Sequence, residues 1–185
     1  MDLFAKFFSE VLYLLHRLIA AIFTIPGTGA WLYAATLLLI LTVISLPIGF
    51  QRGFLQVDVV NTSRETIIGI IAVCLLTPAI SEELFFRVLL LPHPSESASI
   101  LNQLLWGGIS LILFIIYHPL NALTFYPSGL RTFFNPVFLF LAALLGVVCT
   151  LTYWQSGSLW PPVVIHWLVV VVWLLVLGGY RKLNT

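Results

Sequence analysis

The chain has 185 residues, of which 61% are hydrophobic and only 8% charged, and its formal net charge is +1. Soluble domains are nearer half apolar and a quarter charged, so this composition excludes an ordinary globular domain and defines an integral membrane protein. The near-neutral charge, with no basic tract, excludes a nucleic-acid partner, and the length suits one helical bundle without a separate soluble domain.

Residues 3–25 form an amphipathic helix, with Asp2, Lys6, Glu10 and Arg17 on one stripe, Tyr13 continuing it, and Phe and Leu elsewhere. This helix either lies in the membrane interface or crosses as a sixth span with its polar face turned to protein. Its charges also interrupt any signal-peptide apolar core. "TIPGTGA" ends it, and residues 30–50, without a charge, are long enough to span about 30 Å. A polar stretch, 51–66, carries Arg52, Asp58, Arg64 and Glu65. Further apolar runs cover about 67–91, from about 101 to "TFYPSGLR", 133–153 and 160–178. The expected fold is an all-α, polytopic transmembrane bundle of five spans plus the N-terminal helix. Its segments are 1–28 (amphipathic helix), 29–66 (first span and polar loop), 67–178 (core) and 179–185 (short basic tail). Gly107–Gly108 and Gly146 are expected to permit close helix contact, and Gly178–Gly179 to mark a helix end.

Arg52, Arg64, Arg131, Arg181 and Lys182 fall on one side of this arrangement, whereas loops 92–100 and 154–160 carry no Lys or Arg. The positive-inside rule therefore predicts a cytoplasmic C-terminus. Arg17 is read as a residue that snorkels to the headgroups. Cys74 and Cys149 sit inside apolar runs, without a disulfide framework or metal-ligand spacing, and read as buried free thiols.

The run 67–91 contains "AISEELFFRVLLLP", with three charges that each cost roughly 2.5–3.5 kcal/mol near a bilayer centre. Successive helical side chains diverge by about 100°, so Glu82 and Glu83 point apart. Glu83 and Arg87 stand four residues apart and pair. Glu82 is left without a local partner: it finds a donor on another helix, becomes protonated, or performs chemistry. Pro78 removes a helical hydrogen bond and clashes with the Cys74 carbonyl, so a kink is expected just before the carboxylates. His118 and His166 lie deep in other spans. A carboxylate and an imidazole suffice to deprotonate water and pass the proton to a leaving amine, and a second imidazole can stabilise an oxyanion. Counting from the loop ends, Glu82 and His166 differ in depth by roughly one helical turn, and His118 matches them if its helix begins near Trp106.

These residues resemble the CAAX-protease and bacteriocin-processing (CPBP, or Abi) family of intramembrane endopeptidases. The motif E-E-x-x-x-R stands intact as Glu82, Glu83 and Arg87, and F-x-x-x-H as Phe114 and His118. The third motif, His with Asn or Asp four residues on, is His166 followed by Val170. The resemblance implies an endopeptidase acting on a membrane-associated peptide or protein, with membrane lipids around it. It implies that Glu82 with His118 activates a water, that His166 supports the oxyanion, and that Glu83, Arg87 and Phe114 give structural support. It favours a cofactor-free glutamic mechanism over a zinc site built from Glu82, His118 and His166. Val170 cannot donate a hydrogen bond; Trp167 and Asn102 are the candidate replacements, and without one the chain is slow or inert. The alternatives are a catalytically silent relative acting as a membrane scaffold or immunity protein, and, further off, a small ion or proton transporter.

Overall fold

The computed structural model describes residues 3–184, so Asp2 on the first helix's polar stripe lies outside the described residues. Helix α1 (Leu3–Phe23) leads through residues 24–27 into α2 (Thr28–Gln51). The next rod starts as α3 (Arg64–Cys74), breaks within Leu75–Ile80, re-forms as a single α-turn, α4 (Ser81–Glu83), and continues as a π-turn at Leu84–Leu89. It is followed by α5 (Ile100–Thr124), the short α6 (Leu130–Phe133), α7 (Pro136–Ser156), α8 (Trp160–Val176) and α9 (Gly179–Asn184).

Local chemistry sets these ends. Ser99 caps α5 by accepting from the Asn102 N–H, and Asn135 caps α7 by accepting from the Val137 N–H at 2.8 Å, with Pro136 in the first turn. Gly157 closes α7 at φ +63°, and Gly178 follows α8 at φ +82°, both left-handed conformations that favour glycine. Among the described residues, four helical stretches are long and apolar enough to cross a membrane: Thr28–Gln51, Arg64–Glu96, Ile100–Thr124 and Pro136–Ser156. α8, at 17 residues, is shorter than the expected 160–178 span. Its final carbonyls do not continue a helix; those of Leu175 and Val176 accept from the backbone N–H groups of Val60 and Asp58. The polar 51–63 loop thereby satisfies helix-end acceptors that would otherwise be orphaned.

The expected basic end is a structural unit. Asp58 pairs with Arg181 at 3.2 Å, and Thr132 donates to the Lys182 carbonyl, so the 51–63 loop, α6 and the C-terminal helix meet there. At the opposite end gather residues 24–27, 92–99 and 157–159, joined by Ser158 Oγ donating to the Thr24 carbonyl and by His93 bonding the Gly157 carbonyl.

Helix α1 docks at this opposite end by its C-terminal half only. Arg17 and Ala21 are buried, whereas residues 4–10 are all exposed. Arg17 is not a snorkelling residue: it is 8% exposed, donates to both carboxylate oxygens of Glu96 at 2.7 and 2.9 Å, and bonds the Leu89 carbonyl. A bidentate partner 79 positions away outcompetes the headgroups.

α7 packs against α2, α5 and α8, and α8 in turn lies on α3 and the 75–80 turn. Small residues allow this closeness. A Cβ on Gly107 would stand 2.7 Å from the Trp154 ring, and one on Gly146 would meet Leu111 Cδ1 at 2.8 Å. Gly108, expected to share this role, faces open space. Cys74 and Cys149 are buried free thiols, as expected.

Candidate active site

The broken rod 64–89 brings the charges to the interior. Thr77 adopts an extended conformation (φ −139°, ψ 111°) ahead of Pro78, and the chain re-forms a helical turn at Ser81–Glu83. The expected interruption is therefore present, one residue earlier than Pro78 itself. The break at Thr77 precedes α4, and the π-turn Leu84–Leu89 that follows it widens the spiral beside the carboxylates; such turns are frequent at functional sites.

Glu83, Arg87 and His166 are almost completely withdrawn from solvent, and Glu82 is 6% exposed. Arg87 Nε approaches Glu83 Oε2 at 3.1 Å, the expected (i, i+4) pair. The second Glu83 oxygen, Oε1, accepts from His166 Nδ1 at 2.7 Å. Because a carboxylate accepts, the Nδ1 proton is fixed there and His166 Nε2 is directed toward Glu82, whose Oε2 lies 3.8 Å away. Two glutamates that diverge on their own helix thus address opposite edges of one imidazole. Pairing Glu83 with Arg87 alone had hidden this second duty.

Arg87 is held from two further sides. Its guanidinium lies 4.9 Å from the centroid of the Phe114 ring, a cation–π contact, and its Nη1 reaches Ser110 Oγ at 3.5 Å. Ser110 donates in turn to the Phe86 carbonyl at 2.5 Å, tying α5 to the charged turn. Ser110 was not singled out in the sequence; the available signal was a lone hydroxyl within "GGISLILF".

His118 stands on the other side of Phe114. Its ring is 4.9 Å from the Phe114 ring, and the His166 ring is 6.0 Å from that same ring, so one aromatic side chain separates the two imidazoles. His118 lies within electrostatic reach of His166 and, among the described residues, makes no hydrogen bond or ion pair with Glu82. Its Nδ1 donates to the Phe114 carbonyl at 2.8 Å, leaving Nε2 with a free lone pair. The depth condition set for His118 is not met by the helix start. α5 begins at Ile100, not near Trp106, yet Ile100, Leu101, Leu104 and Leu105 stand exposed, and close packing starts at Gly107.

Among the described residues, no three His, Cys, Asp or Glu side chains gather in a way that could hold a metal ion. The zinc alternative built on Glu82, His118 and His166 has no preformed ligand set among these residues. Neither expected replacement for the missing donor at Val170 reaches the site: Trp167 Nε1 donates to the Ile71 carbonyl at 2.9 Å, and Asn102 is exposed in the first turn of α5.

A bundle of membrane-spanning helices with two carboxylates, a guanidinium and two imidazoles withdrawn into its interior defines a polytopic membrane protein with a buried acid–base site. The family model for Type II CAAX prenyl endopeptidase, Rce1-like, matches residues 64–172, more than half of the chain, from the first residue of α3 into α8. The chain belongs to this family of CAAX protease-type intramembrane endopeptidases, in agreement with the resemblance carried by Glu82, Glu83, Arg87, Phe114 and His118. No curated protein and no solved structure matches it.

Proposed function

We propose that the chain hydrolyses a peptide bond of a membrane-associated peptide or protein, with Glu82 as the base that activates water. The observation that carries this reading is the position of Glu82: a buried carboxylate with an oxygen that has no hydrogen-bond partner among the described residues, 3.8 Å from an imidazole nitrogen.

Charge balance supports the assignment. Glu82, Glu83 and Arg87 sum to one negative charge, and an uncompensated charge in a low-dielectric interior is strongly disfavoured. One proton held between Glu82 and His166 Nε2 brings the cluster to zero. With that proton on His166, Glu82 is a free base and Nε2–H is a donor. Glu82 takes a proton from water, assisted by the free Nε2 of His118, as the water oxygen bonds to the scissile carbonyl carbon. The developing oxyanion then receives the His166 Nε2–H hydrogen bond. Collapse of the tetrahedral centre breaks the C–N bond, and the proton gained from water passes to the leaving amine. Glu83 fixes the His166 tautomer, and Arg87 neutralises Glu83. The mechanism is the glutamic one, without a cofactor, and the basic end with the C-terminus faces the cytoplasm.

The test is cleavage of a prenylated CAAX peptide by the full chain in detergent. Glu82→Gln removes the base while keeping the shape, and cleavage is expected to fall to background with the melting temperature kept. Wild-type turnover by that variant would sink the assignment.

A further inference from the structure

Position 170 leaves an open question at the oxyanion. Val170 lies one turn beyond His166 and one turn before Trp173, so the three share a face of α8. The Phe138 ring is 5.7 Å from Trp173 and 5.2 Å from His118, which places that face on the side where His118 stands. A hydroxyl or N–H that serves the reacting carbonyl must reach this space. Trp167 and Asn102 are committed elsewhere, as described above. Trp173 Nε1 has no partner among the described residues, but the adjoining ring atoms pack against Gly179 at the basic end.

Tyr117 satisfies the requirement. It precedes His118 on α5, and its ring lies 5.6 Å from Phe86 and 5.8 Å from His118. Phe86 stands on the π-turn that directly continues the turn carrying Glu82, so the Tyr117 ring packs on the segment next to that carboxylate. The hydroxyl is within electrostatic reach of Glu82. Tyr117 is only partly buried, and its oxygen makes no hydrogen bond to protein among the described residues, so its O–H is available to a substrate. We propose that Tyr117 is a further catalytic residue, its hydroxyl donating to the oxyanion in place of the side-chain donor that position 170 lacks. The inference rests on the Glu82 reading above. The hydroxyl keeps its proton throughout, so the proton inventory of the reaction is unchanged. Hydroxyl donors of this kind stabilise charge that develops only in the transition state.

The experiment is steady-state kinetics of the purified full chain on a prenylated CAAX peptide, with Y117F, V170N, Y117F/V170N and E82Q in parallel. Y117F is expected to lower kcat by about 10²-fold with KM unchanged, because the lost bond is absent in the ground state. Restoring the donor with V170N should recover much of that loss in the double variant, which a merely structural role of the phenol would not allow. A wild-type kcat in Y117F, or a loss confined to KM, would overturn the proposal while leaving Glu82 in place, provided E82Q is inactive. Turnover by E82Q would instead remove the reading beneath it. A wild type that is inert while V170N cleaves would also overturn it, since nothing would then be standing in for position 170. If both are inert, the proposal falls together with that reading. Melting temperatures of all variants separate unfolding from chemistry, and a Y117F that fails to fold is replaced by Y117M, for which the same loss and rescue are expected.

Discussion

Replacing Arg87 by methionine keeps the length and bulk of the stem and removes the charge. Arg87 and Glu83 are both fully buried, with 3.1 Å between Nε and Oε2, so the variant strands a carboxylate in an interior where His166 and the Cys149 thiol remain beside it but no cationic side chain of Arg or Lys does. Removing one partner of a buried pair costs about 3–5 kcal/mol, most of it the penalty of the charge left behind. For a chain of this size, at about 2–4 °C per kcal/mol, that is a fall of about 6–20 °C in melting temperature. The double variant E83Q/R87M removes both charges, leaves an amide oxygen to accept from His166 Nδ1, and returns the cluster to balance. It should melt within a few degrees of wild type although it carries two substitutions. The assay is thermal unfolding in detergent, followed by circular dichroism, with R87M, E83Q and the double variant forming one cycle. If R87M melts no lower than the double variant, the cost is not an unpaired charge, and the electrostatic account of the turn at 81–87 is wrong.

Two further outcomes follow from packing and from the opposite end. Gly146→Leu must push side-chain atoms into Leu111 Cδ1 at 2.8 Å and Phe114 Cδ1 at 3.1 Å, so a loss of about 1–3 kcal/mol is expected, whereas Gly108→Leu, which faces open space, should melt like wild type; equal melting of the two would refute the close α5–α7 contact. Arg17→Met removes both bonds to Glu96, and about 1.5–3 kcal/mol of docking should go with them, so limited proteolysis should cut within α1 faster than in wild type, with unchanged digestion refuting that anchorage.

Length and hydropathy carried the fold because a bilayer imposes its own thickness: runs of about twenty apolar residues have few other solutions. α8 shows where that reasoning stops. Its apolar run continues to Gly178, but the helix ends at Val176 because the loop 56–60 offers N–H groups to its last carbonyls, and such a pairing joins residues more than a hundred positions apart. Arg17 fails to snorkel for the same reason, since its partner, Glu96, sits in another loop. Local rules did locate the Glu83–Arg87 pair and the break near Pro78, both of which are decided within one or two turns. The site divides along the same line. Which charged and imidazole side chains withdraw into the interior was legible from their apolar setting; which nitrogen faces which oxygen was not.

The tandem glutamates have a physical rationale that reaches past the motif. A single buried acid next to His166 would have to serve both as its orienting acceptor and as the base, and these duties conflict, because an acceptor already bonded to Nδ1–H is a weaker base. Two adjacent acids on one helix diverge by about 100°, so they can meet the same ring only from different edges. Glu83 at 2.7 Å from Nδ1 is then committed to tautomer and charge, with Arg87 behind it, while Glu82 at 3.8 Å from Nε2 stays uncommitted. Within one turn, sequence adjacency separates a counter-ion from the carboxylate proposed as base. That separation is why shortening Glu83 to Asp should disturb His166 before it disturbs Glu82.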